Sequence, residues 1–191
     1  MALITVIGTG SMGQAIAGLA AKGGHAVQSL GRADVDQPVS GDIVVLAVPA
    51  SALPEVLAKR AESLVGRTVV DITNPVDMTT FDSLAVPADS SQAALLAQAL
   101  PHSRVLKAFN TTFASTLVSA MVGRQPTTVL IAGDDARAKE QLAEVVRSAG
   151  LMAVDAGSLR RARELESIGF LQITLAVAGR IGWTGGFALV G

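Results

Sequence analysis

VIGTGSMGQAIA, residues 6–17, places three glycines between an apolar β-branched run and a stretch of helical periodicity. Leu3-Ile4-Thr5-Val6-Ile7 reads as a strand and Ser11 to Lys22 as a helix closed by Gly23-Gly24. His25-Ala26-Val27-Gln28-Ser29 then opens a second strand, which completes a βαβ unit. In that context each glycine of Gly8-Thr9-Gly10-Ser11-Met12-Gly13 has a task. Gly8 permits the tight turn, Gly10 lets the main chain approach a pyrophosphate, and Gly13 lets the helix lie close on the strand. The unpaired N–H groups of the helix start, with the helix dipole, then attract the phosphates. Among 19 glycines such a motif means little alone; between a strand and a helix it predicts a dinucleotide site over a purely structural turn.

Outward from this unit, short apolar runs alternate with helical stretches. Strands are expected at 42–48, 68–73, 104–109, 127–133 and 151–155, with helices at Ser51–Leu64, Ser90–Leu100, Phe113–Met121 and Asp134–Ser148. The order predicts an α/β fold with a doubly wound, mainly parallel sheet. Hydrophobic residues make up 50% of the 191 but aromatics only 3%, as suits a parallel sheet packed by aliphatic side chains under helices. The connection from Gly31 to Asp42 is barely long enough for a parallel crossover, and Pro38 denies it a good helix. After Ser158 the pattern becomes one long helix, apolar on more than one face from Ile168 onward. Such a helix covers the sheet of its own chain, a second subunit, or both, and a homodimer is the expectation. The chain thus divides into a dinucleotide-binding domain, 1–157, and a C-terminal helical element, 158–191, for dimerisation.

The cofactor is read from the tip of the second strand. A site for the non-phosphorylated dinucleotide places Asp or Glu there, where it holds both ribose hydroxyls and repels a 2′-phosphate. This chain has Ser29-Leu30-Gly31-Arg32. A guanidinium binds phosphate through two parallel charge-assisted bonds and stacks on adenine, so NADP(H) is expected, with Thr9 and Ser29 adding hydroxyl donors. The competing reading leaves Arg32 in a surface pair with Asp34 or Asp36. Ala47-Val48-Pro49 and Asn74-Pro75 end two further strands, where proline takes the chain out of the sheet and toward the ribose and nicotinamide.

Fifteen Lys+Arg against sixteen Asp+Glu supply no field for nucleic acid or an anionic membrane. No cysteine is present for disulfides or thiolate chemistry, which fits a cytoplasmic setting. The first 21 residues lack the basic start of a secretory signal, and the run Ser167 to Gly179 falls short of the about 20 apolar residues that span a bilayer. No metal-ligand cluster stands out. Of two histidines, His25 is expected to pack locally, and His102 is a weaker candidate for a polar ligand contact. Lys107 is expected to point to solvent, the alternative being a general acid facing the crevice. Trp183 is an aromatic anchor or a cover for the acceptor, and Arg160, Arg161 and Arg163 form surface pairs or meet an anionic tail.

VIGTGSMGQAIA, LAVP (46–49), VVDITNP (69–75), LKAFNTT (106–112) and DAGSLRRARELE (155–166) together resemble the coenzyme F420-dependent NADP oxidoreductase family over nearly the full chain. The cytosolic reductase domains of the six-transmembrane metalloreductases share the look. The resemblance implies a Rossmann domain that binds NADP(H) through Thr9, Ser11, Met12 and Arg32, and a small C-terminal element that helps form a dimer. It further implies that Asn110 and Thr111 wall the place where a second redox partner, F420 or a flavin, meets the nicotinamide. One departure is the reduced segment ADVDQPVSG (33–41) in place of a fuller helix.

The thin catalytic inventory agrees with this. Ketone reduction asks for a proton donor beside the developing alkoxide, whereas hydride passed to a flavin-like ring asks chiefly for stacking and distance. Two alternatives stand beside it: an imine or carbonyl reductase of the pyrroline-carboxylate reductase or hydroxy-acid dehydrogenase type, and a non-enzymatic NADP-sensing module.

Overall fold

A computed structural model describes residues 1–190. Strand β1 (Leu3–Ile7), helix α1 (Ser11–Lys22) and strand β2 (Ala26–Leu30) form the opening unit, followed by β3 (Ile43–Leu46), α2 (Leu53–Leu64) and β4 (Thr68–Asp71). Then come α3 (Gln92–Ala99), β5 (Arg104–Lys107), α4 (Ala114–Ser119), a two-residue-per-strand hairpin β6 (Met121–Val122) and β7 (Gln125–Pro126), and β8 (Thr128–Gly133). Helix α5 (Ala136–Ser148), β9 (Met152–Gly157) and α6 (Ala162–Val177) complete the chain. Seven strands make one sheet in the order β2-β1-β3-β4-β5-β8-β9. All neighbours are parallel except β5 and β8, which run antiparallel through Leu106–Gly133 and Lys107–Ala132.

The expected doubly wound α/β architecture is therefore present. Strand side chains alternate between two buried layers, as they must when helices cover both faces. Ile4, Val6, Ile43, Val45, Val70 and Leu106 meet Ile16 and Leu19 of α1 and Leu142 and Val146 of α5 on one face. Val44, Leu46, Val69 and Val105 meet Leu53 and Leu64 of α2 and Leu96 of α3 on the other. Helix α6 turns Ala162, Leu165, Glu166, Gly169, Gln172 and Ala176 inward, while Leu171 and Val177 stay exposed.

The segment from Gly31 to Asp42 carries only a 3-10 turn, Arg32–Asp34, as the Pro38 argument expects. Side chains replace the missing helix. Gln28 and Thr5 hold Pro38, Ser40 and Gly41, and Arg67 donates to the carbonyls of Gly41 at 2.5 Å and Val39 at 2.9 Å. Helix Phe113–Met121 is shorter than expected: Ala120 takes a left-handed conformation with φ 59°, which ends α4 and starts the β6–β7 hairpin. Nothing in the local sequence announces that stop, because alanine favours continuing a helix.

Candidate functional site

β2 and β3 pair on opposite sides of β1, so the chain reverses its direction of travel across the sheet there, and a crevice opens beyond the strand ends. A cavity of about 390 Å³ occupies that point. Gly8, Thr9 and Gly10 of the glycine turn, Gly31 and Arg32 at the tip of β2, and Ala47-Val48-Pro49 after β3 all line it.

The glycines divide the labour as the sequence suggests. Gly8 sits at φ +117°, and a Cβ there would lie 2.1 Å from the carbonyl oxygen of Ala47. A Cβ on Gly13 would lie 2.0 Å from the Gly8 oxygen, so α1 seats directly on the turn. Gly10 differs, since a Cβ there would project into open space. No side chain caps α1 at Gly10, which leaves its first-turn N–H groups for an anion. An open backbone approach, a free helix start and a cation at the β2 tip fit the pyrophosphate and 2′-phosphate of NADP(H).

The carboxylate of Asp34 folds back to accept hydrogen bonds from the Gly31 N–H at 2.8 Å and the Gln37 amide at 2.7 Å. It is thereby occupied, and Arg32, which is exposed, makes no ion pair among the described residues. The competing reading, a surface pair of Arg32 with Asp34 or Asp36, finds no such pair among the described residues.

One wall went unseen in the sequence. Ala52, just before α2, and Glu55, Val56, Lys59 and Arg60 along it share a stripe that faces the cavity. Arg60 is nearly buried and donates to the carbonyls of Gln37 and Asp34, which pins the loop after β2. Lys59 pairs with Glu55 at 2.7 Å. That contact, and to a lesser extent the nearby Arg32 charge, hold the Glu55 carboxyl below its usual value. The i, i+3/i+4/i+7/i+8 spacing of these residues was the available signal, but it reads equally as an ordinary solvated helix face.

Other expected residues lie around the cavity rather than on it. Ser11 is exposed at the start of α1, Met12 packs partly into the core, and Ser29 is exposed on β2. Asn74 and Pro75 follow β4, one strand further along the crevice. Asn110 is 4% exposed. Its side-chain amide donates to Asn74 Oδ1 at 2.9 Å and to the Leu165 carbonyl at 2.8 Å, while Asn74 Nδ2 donates to the Asn110 carbonyl at 2.8 Å. Thr111 borders a separate apolar hollow with Leu130, Ile168, Leu171, Phe187 and Leu189. Phe109, just before Asn110, is buried with φ 62°, a conformation that costs roughly 1–2 kcal/mol for a side chain of this kind. That turn sends the Phe109 ring into the core and points Asn110 at Asn74.

Lys107 requires a correction. It neither reaches solvent nor faces a substrate: it is 0% exposed, and its ammonium is bound by Asp71 and Glu166, each at 2.8 Å. Burial pushes the Glu166 carboxyl above its usual value, against the pull of Lys107 and the Gln92 N–H. The sequence shows a lysine in an apolar strand but not the two acids, which lie 36 and 59 positions away in the fold's other elements.

His25 packs locally, accepting from Ala2 N and meeting Ser148 Oγ at 3.0 Å. His102 precedes β5, at the end of the strands opposite the crevice, and is exposed. Trp183 stacks at a tilt on Phe113, ring centroids 4.9 Å apart, and is half exposed. Arg161 makes a long pair with Glu164 at 3.7 Å. Among the described residues no group of acids and histidines could hold a metal, and no helix is long and apolar enough to cross a membrane.

A family model described as NADP oxidoreductase, coenzyme F420-dependent, matches residues 29–75, from the β2 tip through the Asn74-Pro75 loop. The F420-dependent NADP reductase of Methanothermobacter marburgensis is 30% identical over 157 residues, covering 79% of this chain and 70% of that protein. Metalloreductase STEAP3 of Rattus norvegicus is 36% identical over 114 residues, 59% of this chain, and the match spans only 22% of that longer protein. A crystal structure from Arthrobacter sp. FB24, provisionally assigned as an F420-dependent NADP reductase, superposes over 100% of both chains with a TM-score of 0.86 and 26% identity. Site geometry and kinship agree, and the chain belongs to the F420-dependent NADP reductase family of NADP-dependent oxidoreductases.

Proposed function

We propose that this protein passes hydride between NADP(H) and a planar ring acceptor, coenzyme F420 or a flavin, in the cytoplasm. The observation that carries the reading is the cavity whose glycine turn, free helix start and Arg32, without an ion pair among the described residues, match a phosphorylated dinucleotide. Gly10 and the first turn of α1 hold the pyrophosphate; Thr9, Ser29 and Arg32 hold the 2′-phosphate, and Ala47-Val48-Pro49 flank the ribose. When bound, the nicotinamide supplies or accepts the hydride. Asn74-Pro75, locked to Asn110, forms the floor beside it, and Thr111 faces the acceptor side. Proximity and orientation then supply most of the rate enhancement.

Lys107 is spent on Asp71, Glu166 and the Thr73 carbonyl, which weighs against a carbonyl reductase that relies on it as proton donor. The same reading takes the protein to act as a homodimer, supported by the exposed apolar group Ile168, Leu171, Phe187, Leu189 and Val190 around α6. Loss of NADPH absorbance on mixing with F420 or flavin mononucleotide, and not with imines or simple ketones, is the expected outcome. Oxidation by ketones alone would replace this reading, and sedimentation at low concentration as a single chain would remove the dimer.

A further inference from the structure

The buried cluster at the end of β5 is more than a strut. Lys107 donates to Asp71 Oδ2 at 2.8 Å and to the Thr73 carbonyl at 2.5 Å, and its ammonium is also paired with Glu166 Oε1 at 2.8 Å. Asp71 closes the ring from the other side, its Oδ1 accepting from the Thr73 N–H at 2.8 Å. Thr73 is thus held at both its N–H and its C=O just after the chain leaves β4. Asn74, the next residue, is tied to Asn110, and a Cβ on Gly169 of α6 would lie 2.3 Å from Asn74 Oδ1. Glu166 also accepts from Gln92 N at 2.9 Å and Ala93 N at 3.3 Å, so one carboxylate joins the starts of α3 and α6 to the same point.

We propose that Lys107 is a positioning residue for the nicotinamide end of the site: through Thr73 and Glu166 it fixes the path of Thr73-Asn74-Pro75 and the seat of α6 beneath it. Three features support a role beyond holding the fold. Two carboxylates share one ammonium in a water-free setting, which costs more in desolvation than an apolar cluster of equal volume. The directed bonds go to backbone atoms of the loop itself, where an apolar contact would leave the loop free to shift. Finally, Thr73 Oγ1 and Asn110 Oδ1 are buried polar atoms without partners among the described residues, and both sit on segments that the cluster holds. The cluster therefore sets where those oxygens stand to receive a polar hydrogen of a ligand.

The inference rests on the proposed NADP(H) site, and its test separates the two. Affinity is anchored at the far end of the crevice by Gly10 and Arg32, so loosening the cluster should alter the nicotinamide's setting without releasing the cofactor. Lys107→Met and Glu166→Gln are to be compared with the wild type for NADPH dissociation constant, emission of the bound nicotinamide, and rate of NADPH oxidation by flavin mononucleotide or F420. The expected result is a dissociation constant within about twofold of wild type, bound emission moved toward that of free NADPH, and a rate at least tenfold lower. If Lys107→Met does not fold, Glu166→Gln, which keeps shape and one acceptor, decides alone. Values all within twofold of wild type overturn the proposal. So does a parallel loss of affinity and rate that tracks thermal stability, since that is what a merely structural cluster gives. A wild type that binds NADPH but reduces neither ring compound counts against the acceptor reading only, and the emission comparison still judges Lys107.

Discussion

Asn74 and Asn110 trade hydrogen bonds beyond the ends of two neighbouring strands: the Asn74 amide donates to the Asn110 carbonyl at 2.8 Å, and the Asn110 amide donates back to Asn74 Oδ1 at 2.9 Å. The exchange ties the exit of β4 to the exit of β5. Asn110→Ala leaves Asn74 Oδ1 and the Leu165 carbonyl short of a buried donor, a loss of about 1–3 kcal/mol. Chemical denaturation should show that decrease, and turnover with a ring acceptor should fall with it. Turnover equal to wild type would remove Asn110 from the site.

Phosphate selectivity has its own variant. Charge-assisted bonds to an ionised group are worth roughly 1.5–3 kcal/mol, so Arg32→Ala should weaken NADPH binding about ten- to a hundredfold. NADH, which lacks the 2′-phosphate, should bind nearly as before, and the salt dependence of NADPH binding should flatten. Equal weakening of both dinucleotides by calorimetry would mean that Arg32 stacks on adenine without meeting the phosphate. Glu55→Gln offers the opposite sign: it frees Lys59 on the cavity wall and should tighten NADPH several-fold.

How far the sequence reaches is visible in these residues. Gly8, Gly10, Gly13 and Arg32 are legible because the strand–turn–helix unit that needs them is local, and its pattern lies within a few turns of chain. The doubly wound, mainly parallel sheet follows from alternation and right-handed crossovers. Lys107 was misread because a strand lysine cannot announce partners on β4 and α6, and burial of a charge depends on just such distant groups. The left-handed Phe109 and Ala120, and the antiparallel β8, are likewise tertiary outcomes that override local preference.

Gly10 and Gly13 give a paired test of cofactor contact against packing. Gly13→Ala drives a methyl to within 2.0 Å of the Gly8 oxygen, and overpacking of this kind costs about 1–3 kcal/mol. Its melting temperature should drop. Gly10→Ala meets nothing within 4 Å and sits at an ordinary φ of −72°, so the fold should survive while the new methyl crowds the pyrophosphate. NADPH affinity should then fall at least tenfold at unchanged stability. Stability lost by both variants alike, with affinity kept in Gly10→Ala, would move the pyrophosphate elsewhere.

Glu166 predicts a pH dependence whose sign is unusual for a carboxylate. Burial raises its folded value above the ordinary 4.5, and the Lys107 and Gln92 contacts only partly offset this. From the unfolded value up to the raised folded one, the native state therefore holds more protons than the unfolded chain. Stability must fall as pH rises through that window, and level off above it, as far as this group is concerned. Asp155 works the other way: Lys139 and the Gly157 N–H depress it, so its contribution is present above the unfolded value and disappears as pH falls. A single stability curve mixes the two. The difference between wild type and Glu166→Gln isolates the first, because glutamine does not titrate and Asp155 is common to both. Denaturation midpoints taken at half-unit steps from pH 4 to 8 should show the wild type losing ground to the variant as pH rises. A constant difference across the range would mean that Glu166 titrates alike in the folded and unfolded chain, and a wild type gaining on the variant as pH rises would mean that Lys107 outweighs its burial.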